Sequence, residues 1–187
     1  MHEVVLDHVV ASASARGQVS IVTADDSHAA GLHRLVTEAL ANEERSWSGK
    51  PPFHPDEEVS IEEVQALIAA PRSRLFAALD GGVIVGCVLI TRNAGGRSTL
   101  GLLGVDPDCR RRGLGAKLIA AAEAIAAETF GSDQIELCVL DGRVRLMAYY
   151  EKQGFRRTGE RRVVGRRPHA VMEFVVMGKL LGDSPIN

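Results

Sequence analysis

The sequence has few cysteines and no long apolar run, and each shortage excludes a class of protein. Its 187 residues contain three cysteines, Cys87, Cys109 and Cys138, which are scattered and form no CxxC pair. A disulfide framework or a zinc site needs paired or clustered ligands, so we expect no metal and a reducing, cytoplasmic setting. No apolar run approaches about 18 residues, which predicts neither a membrane span nor a secretory leader.

The sequence also lacks a surplus of positive charge and is poor in aromatic residues. The formal net charge is −2 and aromatic residues make up 4% of the chain. Binding to a nucleic-acid backbone relies on excess Lys and Arg, and binding to single strands adds aromatic stacking platforms. We therefore expect no nucleic-acid partner, and the arginine clusters need a local explanation.

The length and composition predict one domain. With 45% apolar residues the chain is long enough for one real core and too short to favour two. Residues 1–18 end in the small, polar stretch ASASARGQ and read as a flexible N-terminal extension. The predicted domain covers residues 19–182, and residues 183–187 form a short tail.

Local signals predict the order of the elements. Residues 19–24, VSIVTA, alternate like a strand, and Ser60 with Glu63 forms a capping box before a helix that Pro71 ends. Gly81 and Gly82 mark a tight hairpin. Along the chain the predicted order is strand, two helices, three strands, helix, strand, helix and two strands.

The segment CRRRGLGAKL, residues 109–118, predicts a site for an anion. A strand that enters a helix through a glycine turn leaves several backbone N–H groups unpaired, where the helix dipole adds positive potential. Gly113 and Gly115 allow close approach to the backbone, and Arg110, Arg111 and Arg112 add charge. The pattern is neither a Walker A loop nor a dinucleotide fingerprint. A helix start with solvated arginines remains an alternative at this point.

Two segments together resemble a known family. LLGVDPDCRRRGLGAKL is similar to motif A of the GNAT (GCN5-related N-acetyltransferase) superfamily, and LMAYYEKQGF, which follows it by about thirty residues, is similar to motif B. The resemblance implies an α/β (α+β) fold, a single GNAT-like domain. Its central sheet of about seven strands would be splayed and mostly antiparallel, with about four flanking helices. It also implies an acetyltransferase that uses acetyl-CoA as cosubstrate.

The resemblance further implies roles for individual residues. The backbone N–H of Leu103 would polarise the thioester carbonyl, and Tyr150 would act as general acid toward the departing thiolate. Its neighbour Tyr149 is expected to serve packing. Many relatives have an asparagine where this sequence has Arg143, which leaves that coenzyme contact open. The implied coenzyme-binding residues are Leu103, Gly104, Val105, Arg110, Arg111, Arg112, Gly113, Leu114, Gly115, Ala116, Arg143 and Tyr150.

The acceptor side is less defined by the sequence. An alkyl ammonium must lose a proton before it attacks, so a base or a water relay is expected. Glu173 is the base we select, and Glu43, Glu44, His54 and His169 are alternatives.

The implied acceptor is a primary amine of a small molecule, attacked directly in a ternary complex. A protein or peptide N-acetyltransferase and a non-catalytic acetyl-CoA sensor are the alternatives, and a homodimer is left open. The arginine-rich segment 155–169 and the acidic residues near 56–63 either line the acceptor cleft or form solvated faces.

Overall fold

The predicted order of seven strands and four helices is confirmed. The computed structural model describes residues 19–41, 59–167 and 170–182, so the predicted extension and tail lie outside the described residues. The strands are β1 Ser20–Thr23, β2 Ser73–Asp80, β3 Val83–Arg92, β4 Arg97–Val105, β5 Gln134–Leu140, β6 Arg156–Arg167 and β7 Ala170–Leu180. The helices are α1 Ala29–Ala41, α2 Ile61–Ala69, α3 Leu114–Ala124 and α4 Val144–Lys152.

Several element ends follow the local chemistry that the sequence predicts. Ser60 Oγ accepts from the Glu63 N–H at 3.2 Å, and the Glu63 carboxylate accepts from the Ser60 N–H at 2.8 Å, which closes the capping box of α2. The helix ends at Ala69 because Ala70, which precedes Pro71, takes an extended conformation. Gly81 and Gly82 both have positive φ, 57° and 85°, as the β2–β3 hairpin requires.

The strands form one mixed sheet with helices on both faces. Its order is β1-β2-β3-β4-β5-β7-β6, and every neighbouring pair is antiparallel except β4 and β5. One buried cluster contains Leu118 of α3 and Met147 of α4, and a second contains Leu32 of α1 and Val64 of α2. The sheet separates the two clusters, and burial of both apolar faces supplies the main stabilisation.

The sheet splays between its two central strands. Strands β4 and β5 pair only from Arg97 to Thr99, opposite Gln134 to Glu136. Beyond that point β5 continues to pair with β7, but the edge of β4 that faces β5 has no strand partner. Backbone groups from Leu100 to Val105 on that edge are therefore available to a ligand.

A β-bulge turns the end of β4. The pairing of β3 with β4 shifts register between Cys87 and Leu89, and Leu102 adopts a left-handed conformation with φ 45°. In a regular strand Leu100 and Leu102 would share a face. Instead Leu103 joins Leu100 in the cluster under α3, while Leu102 lies in the opposite cluster. The bulge thus brings Leu103 to the α3 side of the sheet.

Helix α3 ends differently from the prediction of one regular helix up to Phe130. Residues Ile125–Thr129 form a wider π-helical turn, in which the Phe130 N–H donates to the Ile125 carbonyl at 3.0 Å. Gly131, with φ 62°, then ends the helix as expected. None of the helices in the described part of the chain is long and apolar enough to cross a membrane.

Candidate active site

The predicted anion site is an uncapped helix N-terminus. Gly113 is the N-cap of α3 with φ 73°, and no side chain caps the helix there. The first bond into the helix runs from the Lys117 N–H to the Gly113 carbonyl, at 3.1 Å. The N–H groups of Leu114, Gly115 and Ala116 therefore have no intrahelical acceptor, and the helix dipole concentrates positive potential on them.

A cleft of about 460 Å³ opens beside this helix end, between β4 and α4. Eight of its twelve lining residues are predicted site residues: Leu103, Val105, Arg110, Arg111, Gly113, Leu114, Gly115 and Ala116. The other four, which the sequence analysis missed, are Cys109, Leu146, Tyr149 and Gln153. Gly104, Arg112, Arg143, Tyr150 and Glu173 are not among the lining residues.

The three arginines of the turn have different positions. Arg110 Nε donates to the Val105 carbonyl at 3.3 Å, so this side chain ties the turn to the end of β4. Arg111 lines the cleft and takes a left-handed conformation, with φ 65°, which is strained for a residue other than glycine. Arg112 lies 3.9 Å from the Asp80 carboxylate, away from the cleft lining. Of the three, Arg111 is therefore the arginine whose charge is best placed to face a ligand.

Tyr150 is a fully buried residue with an unsatisfied hydroxyl. Its side chain is 0% exposed and packs edge-on against Tyr149 and Phe155, with ring centroids 5.4 and 5.7 Å apart. Its hydroxyl has no hydrogen-bond partner in the structure. Burial raises the pKa of this phenol well above its ordinary value of 10.0, so the group stays protonated and its O–H can donate a hydrogen bond.

Tyr149 lines the cleft beside the N-terminus of α3. With Leu146 and Gln153 it forms a stripe at i, i+3 and i+7 on the face of α4 that lines the cleft. Its hydroxyl oxygen is 2.6 Å from the position that a Cβ on Gly115 would occupy. The helical spacing was the signal for this stripe, but the resemblance assigned Tyr149 to packing. Burial also raises the pKa of Tyr149, which keeps it a neutral donor.

The described cleft contains no candidate base. Neither a carboxylate nor an imidazole is among its lining residues as far as the structure describes them. Glu173 accepts a hydrogen bond from Arg161 at 2.8 Å, and the same guanidinium reaches Asp141 at 2.9 Å. The alternatives Glu43, Glu44, His54 and His169 lie outside the described residues.

The arginine-rich segment is partly an ion-pair network. Arg157, Arg161 and Arg162 of β6 each pair with described carboxylates. Arg162 reaches Glu136, which is 6% exposed and sits at the last parallel pair before the sheet splays. Arg97 approaches the same carboxylate at 3.5 Å. These arginines are engaged in the fold, which favours the solvated-face interpretation for this part of the segment.

Solved structures of acetyltransferases share this architecture. The structure of yncA from Salmonella typhimurium with its cofactor acetyl-CoA superposes with a TM-score of 0.71 at 16% identity, covering 89% of this chain and 95% of that one. A ribosomal-protein-alanine N-acetyltransferase from Brucella melitensis gives a TM-score of 0.71 at 18% identity, covering 87% and 99% of the two chains. At these identities the likeness establishes the fold alone.

Sequence comparison adds a curated relative and a family match. The mycothiol acetyltransferase of Clavibacter sepedonicus is 40% identical over 62 residues, which are 33% of this chain but only 20% of that protein. Residues 37–155 match the model of the acetyltransferase (GNAT) family, a span that includes the turn, the splayed strands and α4. The chain therefore belongs to the GNAT family of acetyltransferases.

Proposed function

We propose that the chain transfers the acetyl group of acetyl-CoA to a primary amine of a small molecule. The observation that supports this most is the uncapped N-terminus of α3, which opens into a cleft beside an unpaired strand edge. The uncapped helix N-terminus suits a pyrophosphate, and the unpaired strand edge suits an extended chain with amide groups. Coenzyme A has both parts, so one ligand accounts for both features.

The residues of the cleft fit this cosubstrate. The N–H groups of Leu114, Gly115 and Ala116 would hold the pyrophosphate, and the charge of Arg111 would add to them. The free edge of β4 at Leu103, Gly104 and Val105 would pair with the amide-bearing arm of the coenzyme. When bound, acetyl-CoA supplies the activated acetyl group as a thioester.

Two groups of the chain are assigned to the chemistry. The backbone N–H of Leu103 would donate to the carbonyl oxygen of the acetyl group and stabilise the negative charge that develops there. The Tyr150 hydroxyl, which has no hydrogen-bond partner among the described residues, would donate to the departing sulfur. Because Tyr150 is buried and does not line the cleft in this structure, a side-chain movement would have to bring its hydroxyl to the sulfur. Full transfer of a phenol proton to a thiolate is uphill by about 2 kcal/mol even at ordinary pKa values. Since burial raises the Tyr150 pKa, a hydrogen bond shared in the transition state is the favoured form of this assistance.

The acceptor must lose a proton before it attacks. For an ordinary alkyl ammonium this costs roughly 4–5 kcal/mol at pH 7. Glu173 is the base that we propose among the described residues, and its ion pair with Arg161 would have to open for it to act. A water relay to solvent is the alternative.

The preference for a small-molecule acceptor rests on the sequence relative. The curated protein with 40% identity over its matched segment is named for mycothiol rather than for a protein. The Brucella structural neighbour is named for an alanine of ribosomal proteins, which keeps a peptide N-terminus as the second candidate acceptor. The third candidate function is a sensor that binds acetyl-CoA without turnover.

A panel assay separates the three candidates. Purified protein is incubated with acetyl-CoA and with amino acids, polyamines, aminoglycosides or peptides, and thiol release is measured against acceptor-free protein. We expect saturable release with at least one small amine, and release that is roughly 100-fold slower with the Tyr150→Phe variant. Release only with peptides would replace the proposed acceptor class. Release at the acceptor-free rate throughout, with saturable acetyl-CoA binding, would identify a sensor.

A further inference from the structure

A second groove lies at the opposite end of α3 from the coenzyme cleft. Its volume is about 770 Å³, and it is lined by three arginines, the glycine turn between β3 and β4, and the C-terminal end of the α3 π-turn. The sixteen residues from Leu114 to Thr129 separate the two sites by roughly 24 Å at 1.5 Å per residue. The groove is therefore not an extension of the coenzyme cleft.

Strand register places the three arginines on one face of the sheet. Arg74 is directly opposite Ile90, which packs in the cluster beneath α3. Arg92 follows Ile90 by two residues in a regular strand and so shares its face. The Arg92 N–H donates to the Arg72 carbonyl at 2.8 Å, which brings Arg72 beside it. The arrangement thus follows from the backbone and not only from flexible side-chain positions.

Within the part of the chain that the structure describes, these arginines have no carboxylate partner. None of the three forms an ion pair with a carboxylate in residues 19–41, 59–167 or 170–182, whereas Arg97, Arg157, Arg161 and Arg162 all do. One carboxylate lies at the same turn, since Asp133 Oδ2 is 2.9 Å from a Cβ built on Gly96, but it does not line the groove. Three like charges that share one groove repel one another, and a bound anion would relieve that repulsion.

A purely structural role for the arginines predicts bonds that are not observed. Cations near a helix C-terminus are expected to donate to its last carbonyls. In the described structure the carbonyls of Ile125 and Ala126 accept from the backbone of Phe130 and Ser132. Within the described residues, Arg74 is the one of the three arginines whose side chain makes a hydrogen bond, which it donates to the carbonyl of its neighbour Ser73 at 2.8 Å. All three arginines line the groove, and the side chains of Arg72 and Arg92 make no hydrogen bond within the described residues.

We propose that this groove, lined by Arg72, Arg74 and Arg92, is a second binding site, for a small anion that carries several phosphate or carboxylate groups. The planar guanidinium group presents paired donors that match either kind of oxygen pair. The glycine turn adds backbone without bulky side chains, and buried Phe130 gives the groove an apolar part. The volume suits a molecule of metabolite size.

Calorimetric titration of the full chain tests the site. Tripolyphosphate and citrate are titrated separately into protein that is saturated with coenzyme A, so that the α3 N-terminus is occupied. The test variant is Arg74→Ala/Arg92→Ala. The matched control is Lys152→Ala/Arg157→Ala, which removes the same charge from another exposed surface. Arg74→Lys/Arg92→Lys keeps the charge and removes the paired donors.

We expect one saturable site per chain for at least one of the two anions. The alanine double variant should weaken it at least tenfold, the lysine double variant less, and the control less than twofold, as two lost charge-assisted bonds imply. Tighter binding of tripolyphosphate would assign phosphate, and tighter binding of citrate would assign carboxylate. Circular dichroism checks that each variant is folded. If the alanine double variant is unfolded, the lysine double variant replaces it as the test of the site.

Three results would overturn the proposal. The first is no saturable binding of either anion, and the second is equal weakening by the control variant. The third is tighter binding of a single-stranded oligothymidine than of both anions, if that binding is lost in Arg74→Ala/Arg92→Ala. This result would make the groove a nucleic-acid surface. The inference does not depend on the acetyl transfer proposed above, because Arg74 and Arg92 lie outside the coenzyme cleft.

Discussion

At the scale of single residues, Tyr150 combines a structural cost with the chemical role that we propose for it. A buried hydroxyl without a partner destabilises the fold, by about 1–3 kcal/mol for a group of this kind. The Tyr150 hydroxyl is such a group. The proposed donation to the leaving sulfur would account for a hydroxyl that packing alone does not need.

Tyr150→Phe should therefore separate stability from activity. We expect the free energy of unfolding to rise by about 1 kcal/mol, because an unsatisfied polar group is removed while the ring packing stays. We expect kcat to fall roughly 100-fold, at the lower end of what general acid catalysis contributes. The acetyl-CoA affinity should hardly change. Urea unfolding, initial rates and calorimetry measure the three quantities.

Tyr149→Phe is the matched control for the stability effect. It makes the same chemical change one residue away, at a half-buried side chain, and should give no comparable gain in stability. Equal kcat for Tyr150→Phe and the unmodified protein would refute the general-acid role.

The pair of Gly115 and Tyr149 gives a second test at this scale. A Cβ on Gly115 would lie 2.6 Å from the Tyr149 hydroxyl oxygen but 3.6 Å from Cζ, which is ordinary contact. Gly115→Ala should push the hydroxyl into the coenzyme cleft and weaken acetyl-CoA binding about tenfold, as roughly 1.4 kcal/mol of strain would do. The double variant Gly115→Ala/Tyr149→Phe should recover most of that affinity. A double variant as weak as Gly115→Ala alone would mean that the hydroxyl is not the obstacle.

At the scale of elements, we propose that α3 binds acetyl-CoA through the backbone N–H groups of its N-terminus, and its C-terminus provides the comparison. Gly113 and Gly131 both have positive φ, 73° and 62°, at opposite ends of the same helical segment. Changing either to Ala should cost about 1–2 kcal/mol of stability, because each position is left-handed. Only Gly113→Ala should also weaken acetyl-CoA binding, since it distorts the open N–H groups. Equal affinity of the two variants would argue against a coenzyme site at the N-terminus.

The elements also show which parts of the fold the sequence can predict. Local chemistry determines the capping box at Ser60, the stop before Pro71 and the hairpin at Gly81, because each depends on a few adjacent residues. The bulge at Leu102 was not predicted. Consecutive leucines look like ordinary strand residues, and the left-handed turn there depends on pairing with β3, which is distant in sequence. The π-helical end of α3 was also not predicted, since the apolar spacing up to Phe130 is that of a regular helix.

At the scale of the whole molecule, the net charge is small, but the arginines are distributed unevenly relative to the carboxylates. The chain carries 22 basic and 24 acidic residues, yet three arginines line the groove at the end of α3, where no described carboxylate is among the lining residues. The arginines of β6, in contrast, largely pair with acids from neighbouring strands and α4. Net charge alone therefore predicts no general polyanion binder, and it cannot locate a local anion site, because strand register decides which arginines lie together.

The sequence predicted the part of the site that is contiguous in the chain and missed the part that tertiary packing brings together. The sequence motifs led to eight of the twelve residues that line the cleft, since the turn and the strand before it are contiguous in the chain. The stripe on α4 requires knowing which face of that helix meets α3. The acceptor side stays a proposal, because the segments 42–58 and 168–169 that carry several candidate bases lie outside the described residues.

The central claim is that acetyl-CoA binds at the open N-terminus of α3 and along the free edge of β4. The most direct measurement is a titration of ¹⁵N-labelled protein with acetyl-CoA, in which the amide resonances are followed residue by residue. We expect the largest shifts at Leu103, Leu114, Gly115 and Ala116, with much smaller ones at Arg74 and Arg92. Saturable binding whose largest shifts lie elsewhere, with these four amides unmoved, would contradict it.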